Sequence, residues 1–160
     1  MRRLIGILLL AAFVGACGSA ALVPAVTASR LPLTEAVKLM DSADAARSEA
    51  LATSSSQGLA QVFRNPALKA LTDRVDAMAL RGLRLEETSA VRSLAAFDPG
   101  RLDGVLQVVA ADRLITPDQS DPTWSATERQ VWSRFTYSSG RWWVADAKDL
   151  SPDRWVPAPV

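Results

Sequence analysis

Apolar positions across residues 33–51 recur at spacings of three and four: Leu33, Val37, Met40, Ala43 or Asp44, Ala46 or Arg47, and Ala50 or Leu51. That period marks one face of an amphipathic helix, and Glu35, Lys38, Asp41 and Glu49 supply its wet side. Pro32 suits the start of such a helix. The polar run Thr53-Ser54-Ser55-Ser56-Gln57-Gly58 ends it as a loop. Gly58–Arg64 carry Leu59, Val62 and Phe63 and predict a short helix. Asn65-Pro66 is a second start signal, with asparagine as N-cap and proline at the first helical position. Leu68, Leu71, Val75, Met78 and Ala79 then share a face, and Gly82 is a C-terminal cap.

From residue 83 the period changes. Helical spacing picks Leu83, Ala90, Leu94 and Phe97, whereas alternation picks Leu83, Leu85, Val91 and Phe97. The turn signal Asp98-Pro99-Gly100-Arg101 favours a strand here. Residues 105–116 are rich in Val, Leu and Ile on both faces, so that strand is expected to be central or covered on both sides. Pro117–Pro122 reads as a loop. Trp124–Tyr137 alternates, with Trp124, Ala126 and Trp132 on one face and Val131, Phe135 and Tyr137 on the other. Ser138-Ser139-Gly140-Arg141 turns the chain into a last strand, 142–147, with Trp142 and Val144 on one face and Trp143 and Ala145 on the other. Residues 151–160 hold Pro152, Pro157 and Pro159 and read as a tail. Helices first, then an antiparallel meander of about four strands, is an α+β order.

The N-terminus carries a different message. Arg2 and Arg3 precede an apolar run of about a dozen residues, shorter than the roughly 20 a spanning helix needs. Basic start, short apolar centre and small residues at the end are signal-peptide features. The run ends in Val14-Gly15-Ala16-Cys17, which resembles the lipobox of bacterial lipoprotein signal peptides. That resemblance implies cleavage before Cys17 and a diacylglycerol thioether on its sulfur, and two acyl chains anchor stably where one does not. The expected organisation is a leader (1–16), a lipidated tether (17–31), an α+β domain (32–150) and the proline-rich tail (151–160). An ordinary secretory signal with an incidental cysteine is the alternative. No aspartate follows Cys17, so the pattern does not choose between membranes if two are present.

The ending Arg134-Phe135-Thr136-Tyr137-Ser138-Ser139-Gly140-Arg141-Trp142-Trp143-Val144-Ala145-Asp146, placed after the helices, resembles the last hairpin of the NTF2-like (SnoaL-like, cystatin-like cone) superfamily. The resemblance covers roughly residues 33–150 and implies a curved sheet wrapped on a long helix. It extends to uncharacterised lipoproteins of high-GC Gram-positive bacteria and brings no activity with it.

Composition narrows the chemistry. The chain has no histidine, which removes the commonest general base and metal ligand. Its single cysteine cannot form an internal disulfide and, if lipidated, leaves no thiol for zinc or iron–sulfur ligation. No cofactor is expected, and no phosphate-binding glycine loop or nucleophile elbow occurs. Removing residues 1–16 takes two of the 18 basic residues and leaves 16 against 17 acidic, a net charge of −1. Such near-neutrality argues against nucleic acid as a partner.

Two sets of candidates remain. Asp112, Arg134, Asp146 and Tyr137, with Arg113 and Glu128, would serve a histidine-free enzyme if the acids converged on a dry pocket. Trp132, Trp142 and Trp143 belong to a group of five tryptophans confined to the last 37 residues. Trp132 and Trp142 are expected in the core. Trp143 must then face the other way, under a loop, the tail or a partner. Met40, Phe63, Met78, Val108, Trp132 and Trp142 are candidate walls of an apolar pocket. The expectation is a non-enzymatic lipoprotein on the extracytoplasmic face of the cell membrane, binding an envelope protein or itself. The alternatives are a small apolar-ligand binder and, after it, the pocket enzyme.

Overall fold

The computed structural model describes residues 30–150. The leader, Cys17, most of the tether and the tail lie outside the described residues. Helix α1 spans Leu33–Thr53, a single 3-10 turn spans Leu59–Gln61, and helix α2 spans Ala67–Leu80. Strands β1 (Arg84–Asp98), β2 (Asp103–Ile115), β3 (Ser125–Ser138) and β4 (Arg141–Asp149) follow. They form one antiparallel sheet in the order β1-β2-β3-β4, the α+β meander expected from the sequence. No helix among the described residues is long and apolar enough to cross a membrane.

The helix boundaries depart from expectation in two details. Pro66, not Asn65, is the N-cap of α2, and no side chain caps that end. Leu33 is 51% exposed, while Leu31, before Pro32, is only 2% exposed; the core therefore starts two residues upstream of α1. Gly82 does cap α2. Its φ of 68° admits the left-handed turn, a conformation glycine adopts without a Cβ penalty. Leu83 N–H donates to Met78 C=O and Gly82 N–H to Ala79 C=O. Asp98 closes the β1–β2 turn by accepting N–H bonds from Gly100 and Arg101, which hold its carboxyl below the usual aspartate range.

One face of the sheet packs on the helices. Leu106, Val108 and Ala110 of β2, Phe135 of β3 and Val144 of β4 meet Met40, Ala43, Ala50 and Leu51 of α1 and Phe63. Gly104 lets α1 approach, since a Cβ there would lie 3.2 Å from the Met40 sulfur. In β1 the face changes mid-strand. Leu85 pairs with Leu114, but the register slips between Thr88 and Val91, where Ser89 has a φ of 54°. Val91, expected beside Leu85, therefore points away from the helices and is 66% exposed, as a bulge that re-aims the strand dictates.

The sheet's β4 edge is covered. Val144 N–H donates to Val62 C=O, and Arg64 N–H donates to Val144 C=O, so the segment before α2 lies along β4 as a short parallel bridge. The β3–β4 ladder ends where Leu150 N–H donates to Gln130 C=O.

Candidate functional site

The helix-facing side of the sheet is not uniformly apolar. Towards the C-terminal half of α1 it carries Glu87 and Arg92 of β1, Asp112 of β2 and Arg129 of β3, and α1 lowers Asp44 onto them. Arg129 Nη2 donates to Asp44 Oδ1 at 2.9 Å and also to Glu87. Arg92 Nε donates to Asp44 Oδ2 at 2.7 Å, and its Nη2 donates to Glu87 Oε1 at 3.0 Å. Ser48 Oγ donates to the same Glu87 oxygen at 3.1 Å. Two arginines and two carboxylates thus close a ring linking one helix to two strands.

Burial and charge compete at this ring. Burial alone would depress the Arg129 guanidinium, but the Asp44 and then the Glu87 carboxylate overturn that and hold its pKa above the ordinary arginine range. Asp112 sits just beyond. Its carboxylate accepts from Thr127 Oγ1 at 2.8 Å and lies 3.8 Å from Arg129 Nη1. Burial pushes the Asp112 carboxyl up, against the Thr127 hydrogen bond and the Arg129 charge, and the nearby Glu87 adds to the rise. Asp112 Oδ1 and Arg129 Nε are buried without a hydrogen-bond partner.

Beside the ring a cleft of about 170 Å³ opens between α1, α2 and the sheet. Met40, Phe63, Leu71, Leu106 and Val131 form its apolar walls, and Arg47, Arg74 and Asp149 its polar end. Arg47 Nη2 lies 2.9 Å and Arg74 Nη1 3.5 Å from Asp149 Oδ2. Of the walls expected from sequence, Met40 and Phe63 line this cleft; Met78, Val108, Trp132 and Trp142 do not.

The candidate residues of the pocket-enzyme alternative do not converge. Asp112 lies on the helix-facing side, whereas Asp146 is in register with Arg134 on the opposite face, with β3 between their strands. Arg134 is exposed, and Tyr137 packs edge-on to Trp142 at 5.2 Å between ring centroids. No group of three or more potential metal ligands occurs among the described residues.

The tryptophans divide by face. Trp142 is buried against the helices as expected. Trp132 is not a core residue: Val131, Ser133 and Phe135 take the inward positions of β3, leaving Trp132 half-buried on the open face between Arg134 and Lys148. Trp143 faces the same way yet is 4% exposed, because Arg64 and Arg141 cover its ring. The open face otherwise carries Val91 paired with Val109 (46% exposed), and Val105 paired with Trp132.

No protein-family model matches the sequence, and no curated protein matches it. Among solved structures, the crystal structure of the intermembrane space region of the chloroplast protein ARC6 is similar, with a TM-score of 0.64 at 16% identity over 76% of this chain and 98% of that one. At that identity the likeness concerns the fold alone: two helices on an open four-stranded antiparallel sheet.

Proposed function

We propose that the chain is a non-catalytic interaction module, tethered outside the cytoplasm through lipid on Cys17, that self-associates through the open face of its sheet. The observation that carries this is the arrangement of that face. Val91, Val109 and Glu128 form one row across the strands, Ser93, Gln107 and Gln130 the next, and Val105, Trp132 and Lys148 the row after, two residues further along β3. A two-fold axis lying in the plane of contact, along the middle row, exchanges the outer two. It sets Val109 of each copy on Val105 of the other, and Glu128 beside Trp132 and Lys148. Such a patch is self-complementary in both shape class and charge, as an isologous contact requires. The lipobox-like Val14-Gly15-Ala16-Cys17 supports the tether. Asp44, Glu87, Arg92 and Arg129 pair with one another, which supports a non-catalytic reading.

Sedimentation of the unlipidated Cys17→Ser chain tests the proposal. A dimer that Val109→Glu converts to a folded monomer supports it; a monomer at all concentrations up to hundreds of micromolar, or a dimer indifferent to Val109→Glu, overturns it. Mass spectrometry of the membrane-extracted N-terminus tests the anchor separately.

The cleft favours a second reading, a small-ligand binder. Its volume is below the roughly 300 Å³ at which ordinary ligand pockets begin, so it would accept only a compact apolar molecule with a polar end to meet Arg47, Arg74 or Asp149.

A further inference from the structure

The covering of Trp143 is unusual in charge. The guanidinium carbon of Arg64 lies 3.2 Å from the ring centroid and that of Arg141 3.4 Å, so the two stand on opposite faces of one indole. Two different elements bring them there: Arg64 from the segment bridged to β4 and Arg141 from the first position of β4 itself. Trp143 Nε1 donates to Ser138 C=O at 3.0 Å and fixes the ring between them.

Both arginines bond only to main-chain carbonyls. Arg64 Nη1 donates to Ala60 C=O at 3.2 Å and Phe63 C=O at 3.5 Å, and Arg141 Nη2 donates to Gln61 C=O at 2.8 Å. Neither has a carboxylate within ion-pair distance among the described residues. The contrast is with Arg113, which also stacks on a tryptophan, Trp124, but pairs with Glu86. Among the described residues, the stack therefore holds two like charges in fixed orientation, with spare N–H donors and no ion-paired carboxylate. Lys38 adds a third cation beside Arg141, across a shallow groove that Glu35 also lines.

We infer that the Arg64–Trp143–Arg141 stack is a binding site for a phosphate group. Planar guanidinium forks match the oxygens of a tetrahedral phosphate better than they match a halide, and the indole holds both forks in place before the ligand arrives. An incoming phosphate supplies the negative charge that no described residue pairs with the stack. The source is either a free phosphate compound or a phospholipid headgroup. The site is independent of self-association through Val109.

The test follows the indole N–H resonance of Trp143, assigned with Trp143→Phe, in the folded Cys17→Ser chain. Inorganic phosphate is titrated against sodium chloride at matched ionic strength. A saturable shift with phosphate alone is expected. Arg141→Gln, at the exposed first position of β4, should weaken it about tenfold or more, whereas Arg134→Gln should not. Arg141→Lys should also weaken it, since the charge stays but the fork is lost. A non-saturating shift equal to that of chloride, or one unchanged in folded Arg141→Gln, overturns the inference. Vesicles of phosphatidylglycerol and of phosphate-free digalactosyldiacylglycerol separate the sources. A Trp143 response only to the former assigns the site to headgroups; phosphate binding with no vesicle response assigns it to a free phosphate compound.

Discussion

Replacing Arg129 by methionine would remove the keystone of the buried ring while nearly preserving side-chain volume. Three carboxylates feel the loss. Asp44, with a side chain only 1% exposed, would keep Arg92 at 2.7 Å, and Glu87 would keep Arg92 and Ser48, so neither is stranded. Asp112 would keep Thr127 but lose its nearest positive charge, 3.8 Å away. Removing one partner of a buried ion pair costs about 3–5 kcal/mol. The surviving Arg92 contacts set the expectation at the lower end, about 3 kcal/mol. For a domain of this size that lowers the melting temperature by roughly 10 °C. Urea unfolding followed by tryptophan fluorescence reads the change directly. Asp44→Leu should cost a similar amount, and the two together should cost less than their sum by about 1–3 kcal/mol, because each removes what the other leaves unpaired. A loss below about 1 kcal/mol for Arg129→Met, the range of an ordinary neutral hydrogen bond, would refute the reasoning. Strict additivity in the double variant would refute it equally.

Four further outcomes follow from the rest of the fold. Asp112 has its folded pKa raised, so the folded state binds its proton more tightly than the unfolded chain does, and ionisation there costs stability as pH rises through the ordinary aspartate range towards the raised value. Asp112→Asn should therefore be as stable as the parent or more so at pH 7, with the advantage fading as pH falls to the ordinary aspartate range; urea midpoints at pH 7 and pH 4 check the sign. Gly104→Val should cost about 1–3 kcal/mol by overpacking; even its Cβ would sit 3.1 Å from Ala96 C=O and 3.2 Å from the Met40 sulfur, and thermal melts measure the loss. Gly82→Ala should also destabilise, because φ is 68° and the new methyl would meet Pro117 Cγ at 2.7 Å. Gly58→Ala, with open space around it and an ordinary right-handed backbone, should stabilise by about 0.4–1 kcal/mol, because alanine narrows the unfolded ensemble without steric conflict.

The helices, the strands and their order were legible because each rests on a local period and a local turn. Faces were legible only where the period ran unbroken. In β3 the alternation that puts Val131 and Phe135 inward also puts Arg129 inward, so that signal lay in the sequence; its meaning did not, because its partners are on α1 and β1, tens of residues away. Arg92 was hidden by the register slip at Ser89, which reverses which residues of β1 meet the helices beyond that point. Trp132 illustrates the opposite limit: its size argues for the core, but alternation gives it to the open face, and alternation prevailed. The Arg64–Trp143–Arg141 stack depends on a loop returning to the β4 edge, which no local pattern announces.

Leu31 has a mechanical corollary. It is the first described residue that the interior holds, and it precedes a proline and the opening turn of α1. Any pull arriving from upstream is delivered to that buried leucine, at the root of the helix, before it can reach a strand. Peeling the sheet from its end would require extracting Leu31 first, so the first rupture under load should be located there, and Leu31→Ala should lower the unfolding force while leaving the strand ladder itself unaltered.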